Sequence, residues 1–237
     1  MIITIDGPAG SGKSTTAKGV ALKLGFDYLD TGAMYRAITY KALKNNISLK
    51  NSSSLSKLVD HTEIEFRKEK SKIQIILDGT EVTDFIRSPH VEQHVSLVSS
   101  YSEVREKMVI LQRRIVQEML TSPRANSELQ TSRGVVCEGR DMGTVVFPEA
   151  EVKIFLDASS KTRAKRRQQE IREKGIELPL AQVEADLKRR DRFDSNREIS
   201  PLKKAKDAIR LDSSELSIEE EIKKVIEIVR MRMGSVN

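Results

Sequence analysis

The feature that most constrains this chain is a glycine-rich stretch near its beginning, residues 7–14, with the sequence GPAGSGKS. It matches the phosphate-loop pattern G-x-x-x-x-G-K-[ST] at every required position. Residues 1–5 form an apolar, β-branched run that predicts a strand, and apolar residues between 17 and 24 recur at helical spacing before Gly25. Because a helix N-terminus attracts anions, a strand, glycine loop and helix in this order favour phosphate binding.

The motif also indicates roles for single residues of the loop. Lys13 is expected to reach the β- and γ-phosphates of a nucleotide, and the Ser14 hydroxyl to hold Mg²⁺. The residues expected to bind ATP are Gly7, Pro8, Ala9, Gly10, Ser11, Gly12, Lys13, Ser14 and Thr15. The loop does not identify the acceptor of the phosphoryl group, which other residues must recognise.

Composition narrows the class of protein. The 237 residues are 38% hydrophobic, enough for a core, and a net charge of +6 suggests an anionic partner, either nucleotides or nucleic acid. Aromatic residues make up only 4% and Trp is absent, which argues against a stacking platform for single strands. The single cysteine, Cys137, argues against a disulfide framework, and its apolar neighbours favour a buried, inert thiol.

The N-terminal apolar run is too short for a signal peptide, because Asp6 interrupts it and the phosphate loop begins at once. No apolar stretch approaches the roughly 18 residues that a membrane span needs. We therefore expect a cytoplasmic protein with no membrane partner. The protein is also expected to be a monomer.

The order of predicted elements indicates an α/β fold. Strands alternating with helices predict a five-stranded parallel sheet flanked by helices, an architecture of the P-loop NTPase type. The helix after the second strand is expected to be capped by Thr31, and the last helix by a capping box at residues 217–220. After the first strand, the predicted strands are residues 26–30, 135–138, 152–156 and 208–211.

A small antiparallel insertion is predicted between two of the strand–helix units. Residues 63–67 and 73–77 have strand patterns, and Asp78-Gly79 is a hairpin turn signal. The serine-rich residues 50–54 are expected to form a loop, as is the polar stretch 123–133.

Arginines near element ends are the candidates for recognising the acceptor, because phosphoryl transfer depends mostly on positioning and charge neutralisation. They occur at Arg36, at Arg140 and within residues 190–197. Arg140-Asp141 directly follows a predicted buried strand, and ligands of doubly wound sheets lie at the carboxyl ends of strands.

These stretches, in this order, resemble the bacterial cytidylate kinases. The resemblance spans nearly the whole chain, through residues 5–14, 29–36 (LDTGAMYR), 139–148 (GRDMGTVVFP), 153–159 (KIFLDAS) and 190–202. It implies transfer of the γ-phosphoryl group of ATP to CMP or dCMP, with Mg²⁺ as cofactor and without a nucleic-acid partner. Two positions depart from the family pattern while keeping their functional group: Glu138 lies where many members carry Asp, and Thr31 where some carry Ser.

The resemblance also implies roles for single residues. Catalysis is assigned to Lys13, Arg140, Arg163 and Arg167, the last two on a lid that approaches the triphosphate. Arg36, Arg140 and Arg197 are expected to hold the acceptor monophosphate. Thr31, Ser96, Arg105 and Asp141 are expected to contact the cytosine, and Arg190 and Asp194 the ribose.

The same resemblance divides the chain into a core kinase domain of residues 1–54 and 96–237 and a monophosphate-binding insertion of residues 55–95. The lid is expected within the core, at about residues 158–175, where a basic helix is predicted from 160 to 175.

The sequence leaves other functions open. Another small-molecule P-loop kinase, such as an adenylate kinase, shares the loop but not the motifs around Arg140 and residues 190–197. A GTPase would need an Asn-Lys-x-Asp segment, which the sequence lacks. A basic nucleic-acid-binding protein fits the net charge but not the scarcity of aromatic residues. His90 and His94 have helical spacing for a metal pair, but no further ligand cluster is evident.

Overall fold

The computed structural model describes residues 1–69, 72–121, 134–173 and 175–234. They form two compact units. The first contains residues 1–28 with the described residues from 119 onwards, and the second contains residues 29–118. The polar stretch 123–133 and Lys174 of the predicted lid lie outside the described residues. The expected division at residues 55–95 stays a prediction.

The described residues form eight strands and eight α-helices. The strands are β1 (Ile2–Asp6), β2 (Asp27–Asp30), β3 (Ile64–Glu69), β4 (Lys72–Leu77), β5 (Thr80–Glu81), β6 (Val135–Gly139), β7 (Val152–Asp157) and β8 (Ile209–Asp212). The helices are α1 (Lys13–Leu24), α2 (Thr31–Lys44), α3 (Ser52–Asp60), α4 (Pro89–Val98), α5 (Ser102–Thr121), α6 (Ser160–Arg172), α7 (Leu180–Ser195) and α8 (Ile218–Gly234).

The larger sheet has five strands in the order β2-β6-β1-β7-β8. β1 pairs in parallel with β6 and β7, and β7 pairs in parallel with β8. Ile3, Ile5 and Val136 are completely buried, as expected for β-branched strands in a sheet covered on both faces. The five-stranded parallel sheet is therefore confirmed. It also buries Cys137, and this burial raises the pKa of the thiol.

Helices of the first unit begin and end largely where the sequence indicates. Gly25 follows α1 in the left-handed conformation, with φ of 67°. The capping box of α8 is present: the Ser217 N–H donates to Glu220 Oε2 (2.8 Å), and the Glu220 N–H donates to Ser217 Oγ (3.3 Å). α8 packs against α1, and α6 packs against α7.

The second unit contains the predicted antiparallel sheet, with strand order β3-β4-β5 and Asp78-Gly79 at the turn between β4 and β5. The loop predicted for residues 50–54 is wrong, because α3 begins at Ser52. The side chain of Asn51 accepts a hydrogen bond from the Ser54 N–H (3.0 Å) and caps this helix. α4 was not predicted, and it begins at Pro89, a favoured first position.

The predicted cap of α2 is also wrong. Thr31 is the first residue of the helix, and the cap is Asp30, whose Oδ1 accepts a hydrogen bond from the Ala33 N–H (2.8 Å). Asp is at least as good a cap as Thr, and here it occupies the extended position before the helix.

No helix in the described ranges is long and apolar enough to cross a membrane.

Candidate active site

The phosphate loop connects β1 to α1. The Thr16 N–H donates to the Gly12 carbonyl oxygen (3.0 Å), so the N–H groups of Lys13, Ser14 and Thr15 have no partner inside the helix. Gly12 has φ of 90°, a conformation that a residue with a side chain rarely adopts. Three successive donors at a helix N-terminus, after a glycine turn, are suited to a phosphate group.

Lys13 is buried, and its Nζ donates to the Pro8 carbonyl oxygen across the loop (3.1 Å). Burial lowers the pKa of Lys13, and the positive charge of Arg140 lowers it further, while Glu138 opposes the change. A bound anion would stabilise the charged form of a lysine in this environment, because it replaces the hydration that burial removes.

Two residues far away in sequence hold Ala9 of the loop. The Ala9 N–H donates to Asp191 Oδ1 (3.2 Å), and Arg163 Nη1 donates to the Ala9 carbonyl oxygen (3.0 Å). Arg163 also pairs with Asp191 and donates from Nε to the Ala158 carbonyl oxygen (3.1 Å). The α6–α7 pair therefore fixes both backbone polar groups of Ala9.

A second network supports the loop near Gly12. Arg166 of α6 donates to the Ser11 carbonyl oxygen (3.1 Å), to both oxygens of Ser213 and to Glu221 Oε1 (2.9 Å). The other carboxylate oxygen of Glu221 accepts a hydrogen bond from Thr16 Oγ1 (2.6 Å), and Glu221 is only 1% exposed. Helices α1, α6 and α8 thus meet at one buried carboxylate.

A carboxylate lies beside the hydroxyl predicted to hold a metal. Ser14 Oγ donates to Glu138 Oε2 (2.8 Å), and Tyr28 donates from its hydroxyl to Glu138 Oε1 (2.5 Å). Mg²⁺ prefers oxygen ligands and commonly uses one or two protein groups together with phosphate and water. The residues present therefore fit Mg²⁺. The described ranges hold no group of three His, Cys, Asp or Glu side chains that could form a metal cage, and His94 Nδ1 lies 2.7 Å from the His90 carbonyl oxygen.

Arginines that follow the ends of β6 and α7 converge on Asp194. Arg140 donates from Nε to Asp194 Oδ2 (3.0 Å), and Arg197 donates from Nε to the Asp194 carbonyl oxygen (3.2 Å). Burial by itself would raise the pKa of Asp194, but the charges of Arg140, Arg197 and Arg190 outweigh it and lower that pKa. Three cations around one buried carboxylate leave the cluster with a positive charge.

Arg36 lies in the second unit, on α2. Its Nε donates to Glu92 Oε1 of α4 (3.3 Å), and both side chains are mostly covered. Arg87 pairs with Asp30, the cap of the same helix (3.3 Å). This unit therefore places two arginines beside the N-terminal half of α2, each with a carboxylate.

Arg105 of α5 is 2% exposed and donates from Nη1 to the Ser99 carbonyl oxygen (3.0 Å). Its guanidinium carbon lies 5.3 Å from the centre of the Tyr35 ring, a distance suited to a cation–π contact. Ser96 lies on α4, one turn after Glu92, and is partly exposed, whereas Thr31 is buried.

With this geometry in place, comparison with known proteins identifies the family. A family model described as cytidylate kinase matches residues 3–231. The chain belongs to the cytidylate kinase family. The cytidylate kinase of Lactobacillus johnsonii is 45% identical over 232 residues, 98% of this chain and 95% of that protein. Those of Bacillus cereus (46% over 227 residues) and Carboxydothermus hydrogenoformans (46% over 229 residues) cover 96% and 97% of this chain, and 95% and 97% of their own lengths.

Within the first unit of this cytidylate kinase family member, several predicted site residues lie together. Lys13 lies within electrostatic range of Arg140, Arg190 and Asp194, and Arg197 contacts Asp194.

The two arginines of α6 that were predicted to be catalytic differ in their contacts. Arg163 contacts the loop backbone, whereas Arg167 pairs with Glu170 on the helix surface (2.9 Å). Their roles toward the triphosphate stay predictions. In the second unit lie Thr31, Arg36, Ser96 and Arg105.

Sequence reasoning missed several residues that support the site: Asp6, Asp30, Asp191, Arg166 and Glu221. The Asp30 signal was available, because an Asp directly before a helix is a favoured cap. Asp191 lies within residues 190–202, one of the stretches that carry the resemblance, but it had no assigned role. The Arg166–Glu221 pair joins residues 55 positions apart, which no local pattern reveals.

Two neighbouring arginines on α6 are expected to differ sharply in their contribution to stability. Arg166→Met leaves the buried carboxylate of Glu221 without its cation, which should lower the free energy of unfolding by about 3 kcal/mol. Arg167→Met removes a pair with the exposed Glu170, and an ion pair of this kind contributes about 0.5 kcal/mol or less. Urea unfolding of both variants is the measurement. Equal losses would show that the Glu221 network does not stabilise the loop.

Proposed function

We propose that this protein transfers the γ-phosphoryl group of ATP to CMP or dCMP, giving ADP and CDP or dCDP. The observation that carries the proposal is the group of cations beside the phosphate loop, formed by Lys13, Arg140, Arg190 and Arg197 around Asp194. Phosphoryl transfer needs little covalent chemistry from the protein, so positioning and neutralising two phosphate chains is the main requirement.

The donor is proposed to bind at residues 7–15. A cavity of about 280 Å³ adjoins the loop and is lined by Gly10, Gly12, Thr15, Arg166, Glu170, Leu216, Ile218 and Glu221. A nucleoside at this cavity would place its phosphates at the helix N-terminus and at Lys13. Ser14 and Glu138 are the residues that would hold Mg²⁺, which neutralises charge on the phosphate oxygens when bound.

The acceptor phosphate is proposed to contact Arg140, Arg197 and Arg36. Each of these guanidinium groups faces a carboxylate in the described structure: Asp194 for the first two and Glu92 for Arg36. A phosphate competes well for such groups, because the planar guanidinium donates two parallel hydrogen bonds to its oxygens. We assign Arg190 and Asp194 to the ribose, and Arg163 and Arg167 to the triphosphate.

The base is proposed to contact Asp141, with Thr31, Ser96 and Arg105 as further contacts. Asp141 is 3% exposed and directly follows Arg140. Cytosine presents an N4 amino donor where uracil presents an O4 acceptor, so a carboxylate favours cytosine.

Asp141→Asn is expected to lower the ratio of kcat/KM for CMP over UMP by roughly ten- to a hundredfold, because the amide can rotate and donate to O4. The ratio is measured in the wild type and in the variant, with Asp186→Asn on the surface of α7 as the control. A ratio that does not change in Asp141→Asn would place base recognition elsewhere.

The proposal is tested by following ADP formation with ATP and each of CMP, dCMP, UMP and AMP. We expect CMP and dCMP to be the best acceptors. A clear preference for AMP would favour another nucleoside monophosphate kinase activity on the same fold. A monomer in the cytoplasm is the proposed state of the protein, and sedimentation of the purified chain tests the first part.

A further inference from the structure

Asp6 ends β1, immediately before the phosphate loop. Its carboxylate accepts two backbone hydrogen bonds from a distant segment: Oδ1 from the Met142 N–H (2.9 Å) and Oδ2 from the Gly143 N–H (2.8 Å). The side chain is buried, with 5% of the residue exposed. The two donors directly follow Arg140-Asp141, the pair proposed to read the acceptor phosphate and base.

Residues 142–146 form a wide helical turn after β6. The Val145 N–H donates to the Asp141 carbonyl oxygen (2.9 Å), and the Phe147 N–H donates to the Met142 carbonyl oxygen (2.7 Å). The turn lies so close to β1 that a Cβ atom on Gly143 would be 3.0 Å from Thr4 Oγ1 and 3.4 Å from Asp6 Oδ2. The backbone that follows Asp141 is therefore held by hydrogen bonds within the turn and by the two hydrogen bonds to Asp6.

We propose that Asp6 is a positioning residue for the acceptor: by holding the 142–146 turn against the end of β1, it sets the direction in which Arg140 and Asp141 leave β6. The inference rests on the proposed function, because it concerns the same acceptor site. Asp6 acts through the backbone of the turn and does not itself touch the nucleotide.

The environment of Asp6 favours its neutral form. Burial raises the pKa of Asp6 to about 7, the hydrogen bonds from Gly143 and Met142 oppose this, and the charges of Asp141 and Arg140 act in opposite directions. Because the native chain already disfavours the ionised form, the Asp6→Asn variant is expected to fold. The amide keeps one acceptor oxygen, so it cannot accept both N–H groups through separate oxygens.

The kinetic test compares three variants. Asp6→Asn should lower kcat/KM for CMP about tenfold or more and reduce the CMP-to-UMP ratio, with KM for ATP within about twofold of the wild type. Gly143→Ala disturbs the same turn sterically and should act in the same direction. Thr4→Val is the matched control, because the buried Thr4 hydroxyl has no hydrogen-bond partner in the described residues, and its kinetics should stay at the wild-type level.

A second readout does not depend on activity. In nucleotide-free protein, the backbone amide NMR signals of Met142 and Gly143 should shift much more in Asp6→Asn, which changes their acceptor, than in Thr4→Val. Unshifted signals in Asp6→Asn, or a loss that appears in KM for ATP with the CMP-to-UMP ratio intact, would overturn the assignment of Asp6. If the wild type does not phosphorylate CMP, the proposed function fails, and the amide signals still decide whether Asp6 holds the turn.

Discussion

Lys13→Ala is expected to lower turnover by at least about a hundredfold while the chain stays folded. The ammonium group neutralises charge on the transferring phosphoryl group, and in a water-excluded site such a contact is worth several kcal/mol. Folding should survive, because burial already lowers the pKa of Lys13, and Ala removes a charge that the native state accommodates at a cost. Steady-state turnover at saturating ATP and CMP is the measurement.

Lys23→Ala is the matched control for this prediction, since Lys23 lies on the exposed last turn of the same helix. Its turnover should equal that of the wild type, and thermal unfolding of both variants checks their fold. A folded Lys13→Ala protein with nearly normal turnover would contradict the assignment of residues 7–15 as the donor site.

Arg140→Lys is expected to reduce kcat/KM for CMP by roughly ten- to a hundredfold although the charge is kept. Arg140 bonds to the buried Asp194 and is proposed to hold the acceptor phosphate, and both tasks use the planar fork of the guanidinium. A lysine ammonium offers a point charge without paired parallel donors. KM for ATP should change much less than kcat/KM for CMP, because the proposed contacts of Arg140 are with the acceptor.

Arg189→Lys provides the comparison, because Arg189 is 79% exposed on α7 and pairs only at the surface with Asp186 among the described contacts. It should behave as wild type. If Arg140→Lys also behaves as wild type, Arg140 is a structural partner of Asp194 and the acceptor phosphate lies elsewhere.

The parts of the fold that could be predicted from sequence are those encoded by adjacent residues. The central strands are short β-branched runs, the phosphate loop is a contiguous motif, and the Ser217–Glu220 box lies within four residues. Helix α3 could not be predicted in the same way. Its first turn is three serines of modest helix propensity, and the helix is held by burial of Leu55, Leu58 and Val59.

Contacts between residues that are distant in sequence could not be predicted, and several of them support the site. Arg140 and Asp141 are conspicuous because a charged pair follows an apolar strand. Asp6 is separated from Met142 by 136 positions, and only the pairing of β1 with β6 brings the two segments together. Arg163 and Asp191 lie on successive helices, and their joint hold on Ala9 depends on how α6 packs on α7. Such contacts follow from tertiary packing, which spacing along the chain does not express.

Transfer of the phosphoryl group from ATP to a cytidine monophosphate is tested directly by phosphorus NMR of the reaction mixture. With purified protein, Mg²⁺, ATP and CMP, we predict that the signals of CDP and ADP rise together in equal amounts, with almost no inorganic phosphate. Release of inorganic phosphate without CDP, or an unchanged ATP spectrum, would contradict the account.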